Sequence, residues 1–171
     1  EEETTEESAP LGDLTATLTE LDEGGVTVGD AIARAGVTID AGAKVATDGR
    51  SRALLTLSDG SVIALNRDTE VVLGEHGRGF TLSRGEVLSD VAHLDEGPNF
   101  VIHSPLGEVE VLGTKFLVTV AGDTGSVRVL RGEVAVRASG GAVNVKTGQE
   151  ALLAATHAPE VVPATDLAGS V

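Results

Sequence analysis

A chain of 171 residues with 41% hydrophobic residues can bury one core without covalent staples, and the absence of cysteine removes both disulfides and thiolate metal sites from consideration. Twelve basic residues against 27 acidic ones leave a formal charge of −15, which repels phosphate backbones and anionic membrane surfaces and makes nucleic acid a poor partner. With three phenylalanines and no tryptophan or tyrosine there is no stacking platform for sugars or bases; Phe80, Phe100 and Phe116 each sit in an apolar run and are expected in the core.

The first ten residues, EEETTEESAP, are acidic and lack large apolar side chains, so 1–10 is expected to be a solvated tail. No apolar run is long enough to cross a bilayer as a helix. The chain begins at Glu1 rather than methionine, which is compatible with a leader or anchor helix ahead of it. The one helical candidate is Asp30 to Ala35, which has a good capping residue and alanine-rich propensity but is too short for a major element. It is expected to be a loop with at most one helical turn.

From there on the pattern is that of short strands. Val109 and Val111 alternate with Glu108 and Glu110, and Phe116, Val118 and Val120 alternate with Lys115, Leu117 and Thr119. Val134 and Val136 repeat the theme against Ala135 and Arg137. Alternation of period two over five to seven residues marks half-buried strands. The 22 glycines suit a chain of many tight turns. Asp59-Gly60, set between two apolar runs, is the clearest hairpin signal and is expected to form a primed turn. Gly85, Gly132 and Gly148 are expected to supply positive φ between strands, and Arg52 and Glu86 to stabilise strand ends through polar contacts. Residues 154–171, with Pro159 and Pro163, are expected to be an extended linker.

A weak internal repeat aligns SVIALNRDTEVVLG (61–74) with FVIHSPLGEVEVLG (100–113). Arg84-Gly85-Glu86-Val87 returns as Arg131-Gly132-Glu133-Val134. Such repetition suggests stacked β units, although glycine-punctuated strands produce similar matches by composition alone.

Catalytic and metal-binding patterns are missing from the sequence. His76, His93, His103 and His157 share no ligand spacing, and no HExxH pattern, nucleophile elbow, phosphate loop or calcium-binding loop occurs. No cofactor and no small-molecule substrate are expected, and the acidic residues are read as a solubilising surface.

In order along the chain stand TDGRSRALLTLSDGSVIAL (47–65), LSRGEVLSDVA (82–92), FVIHSPLGEVEVLGTKFLV (100–118), SVRVLRGEVAVR (126–137) and VKTGQEALL (145–153). Their landmarks are Ser51 and Arg52 of a Ser-Arg-Ala strand, the Asp59-Gly60 hairpin, Gly85, the Gly113-Thr114-Lys115-Phe116 step, Gly132 and Gly148. This succession resembles the FecR domain, the periplasmic β region of bacterial regulators of cell-surface signalling, over most of residues 37 to 153. The resemblance implies an extracytoplasmic module that relays a signal by contacting another protein, such as an outer-membrane receptor or envelope component. It also implies a candidate self-cleavage pair, Gly113 and Thr114, in which the threonine hydroxyl would attack the preceding carbonyl. A structural role for the two, in a bulge and an ordinary strand, is the favoured reading. The expected protein is thus an all-β, non-enzymatic domain over 11–153, a β-roll, solenoid-like stack or two-layer sandwich that binds protein. A self-associating structural subunit of a cell-surface scaffold is the alternative.

Overall fold

The computed structural model describes residues 15–22, 25–74, 78–92, 99–111, 114–138, 140–155 and 157–163. Seventeen strands follow one another: β1 (Ala16–Asp22), β2 (Val26–Val28), β3 (Ala31–Ile32), β4 (Thr38–Ile39), β5 (Lys44–Thr47) and β6 (Arg52–Leu57). Next come β7 (Val62–Leu65), β8 (Glu70–Leu73), β9 (Gly79–Asp90), β10 (Phe100–Ser104), β11 (Gly107–Val111) and β12 (Lys115–Ala121). The last five are β13 (Thr124–Arg131), β14 (Glu133–Ala138), β15 (Gly141–Lys146), β16 (Gln149–Ala154) and β17 (His157–Pro163). The expected all-β class holds.

The strands pair in two ladders that share only β9. The first runs β4-β1-β6-β7-β9-β12-β13-β16-β17. The second runs β3-β2-β5-β8-β9-β10-β11-β14-β15. Every pairing is antiparallel except β9 with β10. In β6, Ala53, Leu55 and Leu57 are buried while their neighbours are not, and Phe116, Val118 and Val120 of β12 behave alike. These inward faces form one hydrophobic core from both ladders, as period-two patterning requires of a two-layer β domain. All three phenylalanines are in it, with Phe80 and Phe100 edge to face, their centroids 5.9 Å apart.

The chain crosses from one ladder to the other repeatedly; four of these corners lie between β5 and β6, between β7 and β8, inside β9 at Gly85, and between β13 and β14 at Gly132. Backbone groups freed at a bend must find partners, and here hydroxyls supply them. Ser51 Oγ accepts the Gly25 N–H at 2.8 Å. Thr47 Oγ1 donates to the Asn66 carbonyl at 2.6 Å and accepts the Thr69 N–H at 3.0 Å. Thr69 Oγ1 in turn accepts the Glu86 N–H at 3.1 Å, and Thr147 Oγ1 accepts the Gly132 N–H at 2.9 Å. The buried polar residues among those described are all serine or threonine: Thr47, Ser51, Ser61, Thr69, Ser89 and Thr114. Thr69→Val keeps the shape but strips the bonds to Glu86 and Arg67, and is expected to lower stability by about 1–2 kcal/mol in urea unfolding. An unchanged midpoint would show that water or relaxation replaces them.

Several sequence expectations change. Asp30 to Ala35 contain no helical turn: Gly29, at φ 64, closes a two-residue turn, and Ala31 and Ile32 pair with Val28 and Thr27. The β-branched residues of β2 commit this segment to a ladder, which overrides weak helix propensity. Asp59-Gly60 does not form a primed turn. Gly60 has φ 93 but Asp59 is not among the positive-φ residues, Gly60 N–H donates to the Leu57 carbonyl, and Leu57 N–H to Ser61. This is a three-residue loop whose last residue is left-handed, the other common hairpin solution. Residues 157–163, inside the expected linker, pair with β16 as a strand. Pro159 and Pro163 are tolerated there because β17 is a ladder edge. The repeat is only partly structural. β7 and β8 lie in different ladders across a corner, whereas β10 and β11 form a hairpin within one. Alternating apolar residues look the same in both arrangements. The Arg-Gly-Glu-Val copies do mark matching corners, at Gly85 (φ 105) and Gly132 (φ 103). The tail at 1–10 lies outside the described residues.

Candidate functional site

The outward faces of the first ladder carry an unusual row. Register places Glu20 beside Leu54, Leu54 beside Ala64, Ala64 beside Leu88, and Leu88 beside Leu117. Leu117 is followed by Arg128 and then Glu150, joined by an ion pair at 3.3 Å. Four apolar side chains therefore sit in line across four strands on the side away from the core. All four are half-buried. They floor a depression of about 620 Å³, rimmed by Glu20, Asp22, Arg52, Asn66 and Glu86. Solvent-facing strand positions are usually polar, so this continuous apolar row is the candidate binding surface of the described residues.

Glu86 lies at the edge of that floor, two residues from Leu88 on the same face of β9. Its Oε1 accepts the Asn66 amide at 2.7 Å and its Oε2 accepts the Thr119 hydroxyl at 3.1 Å. Asn66 sits at a corner and Thr119 on the next strand, so the carboxylate is held from both sides. Arg52 makes no ion pair among the described residues and stands exposed at the rim, not locked at a strand end as the sequence suggested.

A second polar cluster occupies the outer face of the other ladder. His103 Nδ1 lies 3.2 Å from Glu108, and Arg137 reaches Glu108 at 3.2 Å and Glu110 at 3.1 Å. Glu110 also accepts the Asn99 amide. Asn99 first and Arg137 second hold the Glu110 carboxyl below the usual glutamate range. Because its folded-state pKa is depressed, this group stabilises the fold above the unfolded value near 4.5 and loses that contribution as pH falls through the folded value. The loss of stability on acidification is thus expected to be smaller in Glu110→Gln than in the wild type, measured as urea midpoints at several pH values; parallel profiles would contradict it. Ser104, beside His103, is occupied in a turn: its hydroxyl donates to the Gly107 carbonyl at 2.9 Å and accepts the Leu106 N–H at 3.1 Å.

The remaining sequence-singled residues have structural surroundings. Ser51 is buried at a corner. Phe116 is core, and Gly148 has φ 83 in the turn between β15 and β16. Asp59 does more than turn the chain: its Oδ2 pairs with Arg78 at 2.6 Å, each side chain only 8% exposed. Thr114 is buried and donates its hydroxyl to the Glu133 carbonyl at 3.0 Å, while its proposed partner Gly113 lies outside the described residues. His76 and His93 also lie outside them. The sequence reading missed the Leu54–Ala64–Leu88–Leu117 row. Its signal was slight: Leu54, Leu88 and Leu117 are each a single outward apolar residue between polar ones, and which of them line up across strands is a matter of register.

Two solved structures, both of a protein described as a candidate anti-sigma factor from Parabacteroides distasonis, share the fold. One superposes with a TM-score of 0.62 at 22% identity, covering 74% of this chain and 63% of that one. The other gives 0.61 at 22% identity, covering 73% and 62%. This chain therefore spans under two thirds of the length of either. No curated protein matches its sequence. The family model for the FecR protein matches residues 43–135, which run from β5 into β14 and contain the corners, the Asp59 hairpin and the strands of the apolar row from β6 to β12. The chain belongs to the FecR protein family.

Proposed function

We propose that this chain is a non-catalytic, extracytoplasmic module that regulates envelope signalling by binding another protein. The observation that carries the reading is the half-buried apolar row of Leu54, Ala64, Leu88 and Leu117 on the solvent side of a ladder. Membership of the FecR family and likeness in fold to a candidate anti-sigma factor support the signalling role. The −15 charge argues for protein over nucleic acid. The His103–Glu108 contact does not supply an enzyme reading, because Ser104, the adjacent hydroxyl, is bound into its own turn.

The test is crosslinking in living cells followed by pull-down with the full-length protein as bait. An outer-membrane receptor or a sigma factor among the crosslinked products is the expected result. Recovery of the protein itself, or of surface-layer components alone, would replace the signalling role with that of a scaffold subunit.

A further inference from the structure

We propose that Glu86 anchors a lysine or arginine side chain of a partner segment whose neighbouring apolar residues lie along the Leu54–Ala64–Leu88–Leu117 row. This deepens the protein-binding reading and rests on it. Six acidic residues among those described are half-buried or more deeply buried: Asp59, Glu70, Glu86, Glu108, Glu110 and Glu150. Five of them have a cation. Asp59 has Arg78, Glu70 has Arg84 and Lys44, Glu108 and Glu110 share Arg137, and Glu150 has Arg128. Glu86 has only two neutral donors, Asn66 and Thr119. A partly desolvated carboxylate held in fixed orientation by neutral groups is preorganised for a cation, and no described cation, the rim Arg52 included, is paired with it.

The surroundings specify the rest of the occupant. Strands in a ladder are about 4.8 Å apart, so the four-residue row extends about 14 Å, the reach of a few side chains of one segment. Glu20 and Asp22 add negative charge at the rim, against the single Arg52. A basic, apolar segment of another protein is complementary to this. The chain's own first ten residues contain five glutamates and no base, and a second copy carries the same −15, so both are opposed by charge.

The probe is a synthetic peptide of roughly ten residues, built from leucine, serine and two lysines, beside a counterpart with glutamate for lysine, titrated into the whole chain at about 0.15 M salt to screen long-range attraction. The lysine peptide is expected to bind and to shift the amide signals of Leu54, Leu88 and Leu117, and the glutamate peptide is not. Glu86→Gln, which keeps the shape, the bond from Asn66 and, once the Thr119 hydroxyl turns to accept from the new amide nitrogen, the second hydrogen bond, is expected to weaken binding about tenfold or more. Ala64→Arg, which fills the floor with a cation, is expected to abolish it, and Glu160→Gln on β17 to change nothing. Equal weakening by Glu160→Gln, shifts confined to other faces, or no binding of the lysine peptide would each overturn the proposal. A photo-crosslinker at Leu117, compared in cells with one at Ala135 on the other ladder, separates this site from the wider reading. Capture at Leu117 that Glu86→Gln abolishes supports the site. A partner captured at Ala135 alone leaves protein binding standing and removes this site; no capture at either removes both.

Discussion

Replacing Arg78 with methionine is expected to destabilise the domain by about 3–5 kcal/mol, because it leaves the Asp59 carboxylate buried without its counter-charge. The guanidinium has several tasks. Its Nε donates to Asp59 Oδ2 at 2.6 Å, its Nη2 donates to the Ala92 carbonyl at 2.7 Å, and it lies 5.4 Å from the centre of the Phe100 ring. Asp59 uses its other oxygen to accept the Ser61 N–H at 2.8 Å. One side chain therefore ties the β6–β7 turn to the end of β9 and to the core phenylalanine of β10. Methionine retains much of the apolar stem, so the measured loss reports charge and hydrogen bonds more than volume. Asp59→Asn is expected to cost less, since Arg78 keeps the Ala92 carbonyl and the Phe100 ring, and the one amide oxygen can still accept from Ser61 N–H or from Arg78 Nε, though not from both. The double variant is expected to lose less than the sum of the two, because the groups act as a unit. A loss under about 1 kcal/mol for Arg78→Met in urea unfolding would show that the pair contributes no more than a surface ion pair.

Gly85→Ala is expected to cost about 3 kcal/mol or more, and to head a graded series of corner and turn glycines. At φ 105 a side chain is already strained, and a Cβ built on Gly85 would lie 2.5 Å from Thr69 Cα and 2.3 Å from its Oγ1. The backbone of a neighbouring corner cannot retreat without breaking the Thr69 bond to the Glu86 N–H. Gly132 has nearly the same φ of 103, but its nearest neighbours are Thr114 Oγ1 at 2.9 Å and Cα at 3.3 Å, so Gly132→Ala is expected to cost less. Gly148, at φ 83 with nothing within 4 Å, retains only the conformational penalty, about 1 kcal/mol. Thermal or urea unfolding of the three variants should rank them in that order. Equal losses would mean that φ alone, and not the close approach of corners, sets the requirement. The Gly85 change also bears on the docking row, since Glu86 and Leu88 follow directly on β9.

The amino-acid sequence by itself determined the class of the fold and the sides of its strands. Alternation in 109–111, 116–120 and 134–136 is a local property, and each run pairs and buries as its period dictates. The three phenylalanines each stand in an apolar strand-like run, and all three are buried. The ordered landmarks from Ser51 to Gly148 carried the family. Tertiary structure decided what depends on which strands meet. Asp59 reads as a turn residue because its neighbours are turn-like; its partner Arg78 is nineteen residues away in sequence, and only the fold, which brings the residue ahead of β9 against the β6–β7 turn, joins them. The repeat of 61–74 in 100–113 was misleading for the same reason, since alternation says which face a residue takes but not which strand lies beside it. Residues 157–163 became a strand because β16 offered an open ladder edge, a fact absent from their own composition. The apolar row and the uncompensated Glu86 arise from four separate strands brought into register, and register is fixed by the burial of the opposite faces in the shared core.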